Sequence, residues 1–206
     1  MAVLLGLSGN IACGKSTVGQ LLAERYGAEY LDADRVVHAL YAAGTPQTAA
    51  IAARFGHDLL RADGTIDRRR LGDMVMSDRP ALEDLERILD PAVRAAIEDR
   101  LANTTASVLV LDAIRLIEAG LAARCDTVWL VVCARETQLR RLQASRNLTP
   151  AQAAMRVAAQ APAEDKIAYA SAVITNDGSL ADLEAQVLAA WNRTVRPHLG
   201  SRAWFS

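Results

Sequence analysis

The fold is decided by the stretch Val3-Leu4-Leu5-Gly6-Leu7-Ser8-Gly9-Asn10-Ile11-Ala12-Cys13-Gly14-Lys15-Ser16-Thr17. An apolar run ends just before a loop of the form G-x-x-x-x-G-K-S, and Thr17 then opens a helical pattern. Glycines are required because the loop turns its backbone N–H groups inward, where a Cβ would crowd a phosphate, and the helix N-terminus adds its dipole. The stretch therefore predicts a loop that binds the phosphates of a nucleoside triphosphate, most simply ATP.

The loop residues divide into those that line the phosphates and those with a more specific role. The Lys15 ammonium is placed to reach the β and γ phosphates, and the Ser16 hydroxyl is a candidate ligand of Mg²⁺. Cys13 lies near a helix N-terminus, which can lower a thiol pKa, but we interpret it as a small filler. The predicted nucleotide-binding residues of the loop are Gly9, Asn10, Ile11, Ala12, Cys13, Gly14, Lys15, Ser16 and Thr17.

The composition excludes several classes of protein. The chain has 206 residues, 51% of them hydrophobic, which is enough for one globular domain with insertions. A formal net charge of −1 provides no basic surface for nucleic acid or an anionic membrane. Three cysteines without a CxxC pair suit a reducing cytoplasm, and no apolar run approaches the ~20 residues that span a bilayer. We expect a cytoplasmic protein, monomeric or weakly homo-oligomeric.

Short apolar runs alternate with longer helical patterns, which is typical of a parallel sheet with crossover helices. The first, third and fourth runs are continuously apolar, as expected for strands buried on both faces. The predicted strands are residues 3–7, 29–31, 108–111, 127–132 and 172–174. The fold class is therefore α/β, with a five-stranded parallel sheet flanked by helices and a phosphate-binding loop after the first strand.

The segment between the second and third strands is much longer than one crossover needs and shows helical periodicity. Its predicted breaks are Gly44-Thr45-Pro46, Gly56-His57, Asp63-Gly64, Arg79-Pro80 and Asp90-Pro91. We interpret residues 45–104 as a helical subdomain at the carboxyl edge of the sheet, where open α/β sheets bind ligands. The core is then residues 1–44, 105–138 and 166–195.

An arginine-bearing helical segment follows the fourth strand, with a break at Asn147-Leu148-Thr149-Pro150. Guanidinium groups present paired donors to phosphate oxygens, so we interpret residues 139–165 as a lid. Arg141 and Arg146 are the candidates for clamping the transferred phosphoryl group, and a solvated helix face is the alternative interpretation.

The last helical pattern covers residues 180–191. Its stripe of Leu180, Leu183, Val187 and Leu188 is expected to pack on the sheet. The tail that follows, which includes Trp204 and Phe205, shows no clear pattern.

Three aspartates follow predicted strands. Asp34 is the candidate base that takes a proton from an acceptor hydroxyl, and the alternative is that Asp32 or Asp34 only caps the helix predicted over residues 35–41. Asp112 ends the third strand and is, with Ser16, a candidate ligand of Mg²⁺. The alternative is that Asp112 only begins a turn, because any buried strand followed by a turn that starts with Asp has the same sequence pattern.

The loop, the aspartate pair, the insertion and the lid together resemble the dephospho-CoA kinase family, nearly from end to end. Beyond the loop, the resemblance rests on Leu31-Asp32-Ala33-Asp34, Ala62-Asp63-Gly64-Thr65-Ile66-Asp67-Arg68-Arg69-Arg70-Leu71-Gly72, Glu136-Thr137-Gln138-Leu139-Arg140-Arg141-Leu142, residues 156–160, and Val173-Ile174-Thr175-Asn176-Asp177-Gly178.

The resemblance implies a P-loop kinase fold, in which residues 45–104 form a helical acceptor-binding subdomain and residues 139–165 a lid. It also implies that ATP, with Mg²⁺, phosphorylates the 3′-hydroxyl of the ribose in dephospho-CoA. It implies Asp34 as the base, Lys15 on the β and γ phosphates, Ser16 on Mg²⁺ and Arg141 on the transferred group. Ser8 stands where the family usually has threonine, and it joins the predicted catalytic residues.

The sequence departs from the family at two places that border the expected acceptor site. Asp90-Pro91 stands where members commonly have His-Pro, and Asp112-Ala113-Ile114-Arg115-Leu116-Ile117-Glu118 replaces a stretch with Pro-Leu-Leu and a following Glu. An acid that faced a phosphate-bearing acceptor would repel it, and Arg115 would offset that charge.

Two other functions stay open. Another small-acceptor kinase, such as a nucleoside monophosphate, shikimate or gluconate kinase, would share the loop and the lid, but the long insertion favours the coenzyme reaction. A protein that binds ATP without transferring phosphate would not need Asp34 as an acceptor base.

Overall fold

The computed structural model of the chain describes residues 2–76 and 78–202, the last two by their backbone only. The chain divides into two compact units, one formed by Met1–Leu31 with Leu101–Ser206 and the other by Asp32–Arg100. The second unit therefore begins at Asp32, ahead of the residue 45 at which the acceptor-binding subdomain was expected to begin. Trp204 and Phe205 lie outside the described residues.

A five-stranded sheet forms the centre of the first unit. Its strands are β1 (Val3–Gly9), β2 (Glu29–Asp32), β3 (Val108–Asp112), β4 (Thr127–Val132) and β5 (Ala172–Thr175). The order is β2-β3-β1-β4-β5, with β1 pairing in parallel with both β3 and β4, and β4 with β5. All five predicted strands are confirmed, and β1, β3 and β4 are buried along nearly their whole length, as continuous apolar runs predict.

Helices connect the strands and make up most of the second unit. They are α1 (Lys15–Tyr26), α2 (Ala33–Leu40), α3 (Pro46–Phe55), α4 (Arg68–Val75), α5 (Arg79–Asn103), α6 (Arg135–Arg146), α7 (Pro150–Ala158), α8 (Glu164–Ile167), α9 (Leu180–Ala190) and α10 (Arg196–Arg202), with a π-helical turn at Trp191–Val195 and short 3₁₀ turns at His57–Leu59 and Ala122–Arg124. Within the described residues, none of these helices is long and apolar enough to cross a membrane.

Capping explains the predicted break between α6 and α7. Asn147 adopts a left-handed conformation, φ 51°, at the end of α6. Thr149 then starts α7 with a capping box, in which its hydroxyl accepts from the Gln152 amide and the Gln152 side chain accepts from the Thr149 amide. The break at residues 147–150 is confirmed.

The core of the first unit packs α1 and α9 against the sheet. Leu183 and Val187 of α9 are buried in it, as predicted. The prediction is wrong for Leu180 and Leu188, which are 58% and 50% exposed. The buried face continues instead to Ala190, because residues four and three apart share a helix face and Leu188 is turned about 100° from Val187.

The second unit has its own apolar core. Its buried residues are Ile51, Leu59, Ile66, Leu71, Val75, Ala81, Leu85 and Leu89. The predicted break at Asp90-Pro91 is wrong, because Pro91 lies inside α5. Proline in a helix costs about 3 kcal/mol, but four buried residues at a spacing of four hold both halves of α5 in place, namely Leu85, Leu89, Val93 and Ile97.

Candidate active site

The loop between β1 and α1 has the backbone conformation that its glycines predict. Gly9 and Gly14 have φ of 152° and 96°. A Cβ on Gly9 would lie 2.4 Å from the carbonyl oxygen of Val131, and one on Gly14 would lie 2.0 Å from the amide nitrogen of Asn176. Neither position therefore accepts a side chain without moving its surroundings.

Side chains from α6 and from the residue after β5 hold three consecutive carbonyl groups of the loop. Gln138 donates to the Ile11 carbonyl at 3.0 Å. Arg141 donates to the carbonyls of Ala12 and Cys13, each at 3.3 Å, and also to that of Asn176 at 2.9 Å. The Asn176 amide donates to the Cys13 carbonyl at 2.9 Å.

These contacts orient the loop. In a trans peptide the carbonyl and the next amide point in opposite directions. Carbonyls held on the α6 side therefore turn the amides of Ala12 and Gly14 to the other side of the loop, the arrangement that a row of N–H groups needs to surround an anion.

The end of the predicted lid also contacts the loop. The Ile11 amide donates to the Gln160 side chain at 2.7 Å, and the Asn10 side chain donates to the Ala161 carbonyl at 2.9 Å. A cavity of about 280 Å³ lies beside these contacts and is lined by Asn10, Cys133, Gln138 and Gln160, among others. The loop is thus held from both ends of the segment that was predicted to be the lid.

Lys15 is held close to Asp112. Its ammonium lies 3.7 Å from one Asp112 carboxylate oxygen, and the two side chains are each 11% exposed. The hydroxyl of Tyr30 donates to the other oxygen. The strand register explains the proximity, because Asp112 of β3 pairs with Leu7 of β1, immediately before the loop.

The two serines at the ends of the loop differ in their surroundings. Ser8 is fully buried, and its hydroxyl donates to the Ile114 carbonyl at 3.4 Å. Ser16 is exposed in the first turn of α1. No cluster of three or more His, Cys, Asp or Glu side chains able to hold a metal ion occurs among residues 2–76 and 78–202.

The second unit carries the aspartate pair. Asp32 is the N-cap of α2, and its carboxylate accepts from the amides of Asp34 and Arg35 at 2.9 and 3.2 Å. Asp34 lies in the first turn and is exposed. Capping is therefore the role of Asp32, which leaves the Asp34 carboxylate available for another one.

The two predicted arginine clamps are placed differently. Arg141 is partly buried and uses its guanidinium on loop carbonyls, as described above. Arg146 is exposed at the last residue of α6.

Burial determines the chemistry of the loop cysteine. Cys13 is 1% exposed, and this desolvation raises the pKa of its thiol to about 11, against the lowering effect of the nearby Lys15 ammonium. The thiol therefore stays neutral at physiological pH, which agrees with its interpretation as a filler.

We accordingly expect Cys13→Ala to retain kcat within about threefold, because no thiolate is available for chemistry below the raised pKa. Steady-state kinetics measure this, and iodoacetamide at pH 8 is expected to leave Cys13 unlabelled in the folded protein. A tenfold or larger loss of kcat in a folded Cys13→Ala variant, with Cys125→Ala as the control, would contradict the assignment.

Comparisons with known proteins identify the family. A profile of the dephospho-CoA kinase family matches residues 3–182. The chain belongs to this family. The dephospho-CoA kinase of Geobacter sulfurreducens is 43% identical over 191 residues, which cover 91% of this chain and 96% of that protein. The dephospho-CoA kinase of Thermosynechococcus vestitus is 40% identical over 188 residues, covering 91% and 93%. The chain is thus a kinase, a transferase of coenzyme A biosynthesis.

Solved structures agree with this family. The crystal structure of a Thermus thermophilus protein matches this chain with a TM-score of 0.74 at 31% identity, and the match covers 94% of this chain and 98% of that protein. A dephospho-CoA kinase from Campylobacter jejuni matches with a TM-score of 0.66 at 25% identity, over 96% and 100%. A shikimate kinase from Bacteroides thetaiotaomicron, with a TM-score of 0.53 at 14% identity, shares the fold alone. The predicted P-loop kinase fold is confirmed.

Several residues that support the kinase site were not predicted as site residues. Gln138 and Asn176 lie in segments that carry the family resemblance, and that is the only signal the sequence offers for them. Gln160 also lies in such a segment, at the end of residues 156–160, whereas Tyr30 has no such signal, since its partner Asp112 is far along the chain.

Proposed function

We propose that this kinase transfers the γ-phosphoryl group of ATP to the 3′-hydroxyl of dephospho-CoA, giving coenzyme A and ADP. The observation that carries the proposal is the family match over residues 3–182, joined to a loop whose Lys15 and carbonyl contacts suit a triphosphate. Phosphoryl transfer depends mainly on positioning and charge neutralisation, which such a site supplies.

The first unit supplies the donor half of the reaction. The Ala12 and Gly14 amides and the N-terminus of α1 hold the phosphate oxygens, and Lys15 neutralises charge between the β and γ phosphates. Asp112 keeps the ammonium at the loop before ATP arrives, because the pair is almost fully buried. Ser8 supports the start of the loop through its bond to the Ile114 carbonyl.

The residues present fit a Mg²⁺ ion that is shared with the nucleotide. The exposed Ser16 hydroxyl and the Asp112 carboxylate would hold it, Asp112 directly or through water. Two protein groups suffice, because Mg²⁺ in kinases keeps several waters and takes phosphate oxygens as further ligands. When bound, the ion supplies positive charge to the transferring group.

The second unit supplies the acceptor half. Asp34 takes the proton of the 3′-hydroxyl as that oxygen attacks the γ phosphorus, and the exposed carboxylate is not committed to capping α2. We assign acceptor binding to residues 45–104. The sequence differs from the family pattern at Asp90 and at residues 112–114, and we expect these differences to change the rate of the reaction and the choice of acceptor.

The lid is proposed to be residues 139–165, with Arg141 and Arg146 as its cations. Arg146 is exposed and is placed on ATP when the lid closes. For Arg141 to contact the transferred group, its guanidinium has to exchange at least one loop carbonyl for a phosphate oxygen. Its first role is therefore to hold the loop in shape.

We expect Arg141→Ala to raise the KM for ATP by about tenfold or more, because three charge-assisted hydrogen bonds to backbone carbonyls are lost. Arg141→Lys is expected to recover only part of this, since one ammonium does not span three carbonyls. Initial-rate kinetics over a range of ATP concentrations measure the effect. Arg140→Ala, an exposed neighbour on α6, is the control, and an equal effect in both variants would contradict the role.

The proposed reaction is tested by incubating the purified chain with Mg·ATP and a panel of acceptors. The panel comprises dephospho-CoA, nucleoside monophosphates, shikimate and gluconate, with ADP and product separated by chromatography. We expect efficient turnover with dephospho-CoA alone. Turnover with another acceptor would support a different small-molecule kinase, and ATP binding without any turnover would support a binding protein.

Two further proposals concern the compartment and the oligomeric state of the enzyme. Three free cysteines, all at least partly buried, suit a reducing cytoplasm. We propose a monomer or a weak homo-oligomer there, to be measured by sedimentation velocity; a stable dimer at micromolar concentration would overturn that proposal.

A further inference from the structure

The chain almost never uses lysine. Of its 23 basic residues, 21 are arginine, and the two lysines are Lys15 and Lys166. Arginine and lysine differ in shape, because a guanidinium is a wide planar fork and an ammonium is a compact point charge. The two lysines are therefore singled out by composition, and their surroundings decide what each ammonium does.

Lys166 is buried and the Lys15 side chain is 11% exposed, and only Lys15 has been given a role. Lys15 belongs to the phosphate loop. Lys166, in α8, is 4% exposed as a residue. Its ammonium lies 3.0 Å from a Glu118 carboxylate oxygen and 3.5 Å from the Ile114 carbonyl. The pair is buried on one side only, because the Lys166 side chain is 5% exposed and that of Glu118 is 35% exposed. Taking the ammonium out of water costs free energy that a partly solvated partner offsets only in part, so stability alone is a poor account of the pair.

The partners of Lys166 lie in the turn that follows β3, residues 113–121. This turn is tightly built, because Leu116 is fully buried and its carbonyl accepts from the amides of Leu121 and Ala122, both at 3.0 Å. The Ala113 amide donates to the Leu7 carbonyl at 3.1 Å. These hydrogen bonds attach the turn rigidly to the end of β1.

The Ile114 carbonyl is where three parts of the site meet. It accepts from the Ser8 hydroxyl, immediately before the phosphate loop, and it faces the Lys166 ammonium from α8. The chain just before α8 contacts the loop itself, through Gln160 and the Ala161 carbonyl. Lys166 thus connects the carboxyl end of the lid to the turn after β3. Gln160 and Ala161 connect the same end of the lid to the phosphate loop.

We propose that Lys166 is a positioning residue, which fixes the turn of residues 113–118 through Glu118 and the Ile114 carbonyl and so sets where the exposed Arg115 meets a phosphate-bearing acceptor. It does not touch substrate. The inference rests on the proposed function, since that turn borders the expected acceptor site. Lys166 reaches the phosphate loop only indirectly, through the Ile114 carbonyl that it shares with Ser8, so its loss is expected to affect the acceptor much more than the nucleotide.

The test compares Lys166→Met, Lys166→Arg and Glu118→Gln with the wild-type enzyme. Isothermal titration calorimetry measures the Kd for ATP without acceptor, and initial rates give kcat and KM for dephospho-CoA. Lys166→Met is expected to raise the acceptor KM about tenfold or more and to lower kcat, with the Kd for ATP within about threefold of wild type. Lys166→Arg keeps the charge but not the shape, and is expected to recover less than half of the lost kcat/KM.

Glu118→Gln is expected to change the same constants in the same direction, and Lys166→Met combined with Glu118→Gln to be little worse than Lys166→Met alone, because the two residues act as a unit. Arg25→Met, which breaks the exposed ion pair of Arg25 with Glu184, is the control and should leave every constant unchanged. If Lys166→Met does not fold, Glu118→Gln replaces it in the test, and its KM for dephospho-CoA is compared with its Kd for ATP in the same way.

Wild-type acceptor KM and kcat in a folded Lys166→Met variant, equal losses in acceptor KM and ATP Kd, or simple additivity in the double variant would overturn the proposal. A wild-type enzyme that forms no coenzyme A would instead overturn the proposed function. In that case the same comparison is made with whichever acceptor the wild-type enzyme phosphorylates.

Discussion

Replacing Asp34 with asparagine is expected to lower kcat by about 10²–10⁴-fold and to leave the Kd for ATP within about threefold. Asparagine has the same shape but does not take a proton from the acceptor hydroxyl. The fold should be unaffected, because Asp34 is exposed and the cap of α2 is made by Asp32. Single-turnover rates with saturating dephospho-CoA measure the chemical step, and calorimetry measures ATP binding.

The matched control for Asp34→Asn is Asp32→Ala, which removes the cap and keeps the proposed base. It is expected to lower the free energy of unfolding by about 0.5–2 kcal/mol while kcat stays near wild type below the unfolding temperature. If Asp34→Asn keeps full activity, the assignment of the base is wrong. If Asp32→Ala loses turnover in the folded state, the division between cap and base is wrong.

Replacing Lys15 with alanine is the second large effect, an expected loss of about 10³-fold or more in kcat/KM for ATP. The ammonium is proposed to neutralise charge that grows between the β and γ phosphates, and no other lysine lies in the loop. The variant also leaves the Asp112 carboxylate without its cation in a site that is 11% exposed, which adds repulsion toward the triphosphate. Initial rates measure the loss in kcat/KM, and ATP titrations measure the added repulsion as a weaker Kd for ATP.

Tyr30→Phe is the control for Lys15→Ala. It removes the hydroxyl that donates to Asp112 and keeps the ammonium in place. We expect a change in kcat/KM of less than about tenfold. A folded Lys15→Ala enzyme with near wild-type kcat/KM, or a Tyr30→Phe variant that loses as much as Lys15→Ala, would show that the ammonium is not the decisive charge.

The parts of the fold that depend on local sequence were predictable. Continuous apolar runs of residues 108–111 and 127–132 indicate buried parallel strands, and both are strands in the structure. Gly9 and Gly14 stand at two of the three positive-φ positions of the loop, where the constraint acts on the backbone of the same residue, whereas the third position, Ala12 at φ 60°, carries no glycine to indicate it. The capping box at Thr149 likewise involves residues three apart, so the break before α7 was recognisable.

The parts that depend on tertiary contacts were not predictable. Pro91 indicates a break by its local chemistry, but buried residues on both sides of it keep α5 continuous. Arginines on α6 suggest a phosphate clamp, while Arg141 is held by carbonyls far away in the chain. Lys166 is unremarkable in its own segment, and only its pairing with Glu118 and the rarity of lysine distinguish it.

The central claim is that the γ-phosphoryl group of ATP is transferred to the ribose 3′-hydroxyl of dephospho-CoA. The most direct measurement is ³¹P NMR of the product isolated from dephospho-CoA, Mg·ATP and the purified enzyme, with ADP quantified in the same reaction. The account predicts one new phosphomonoester on the 3′ oxygen. Its ³¹P resonance is expected to coincide with that of authentic coenzyme A, and its amount to equal that of ADP. A phosphate on any other oxygen, or ADP formed with no phosphorylated acceptor, would contradict it.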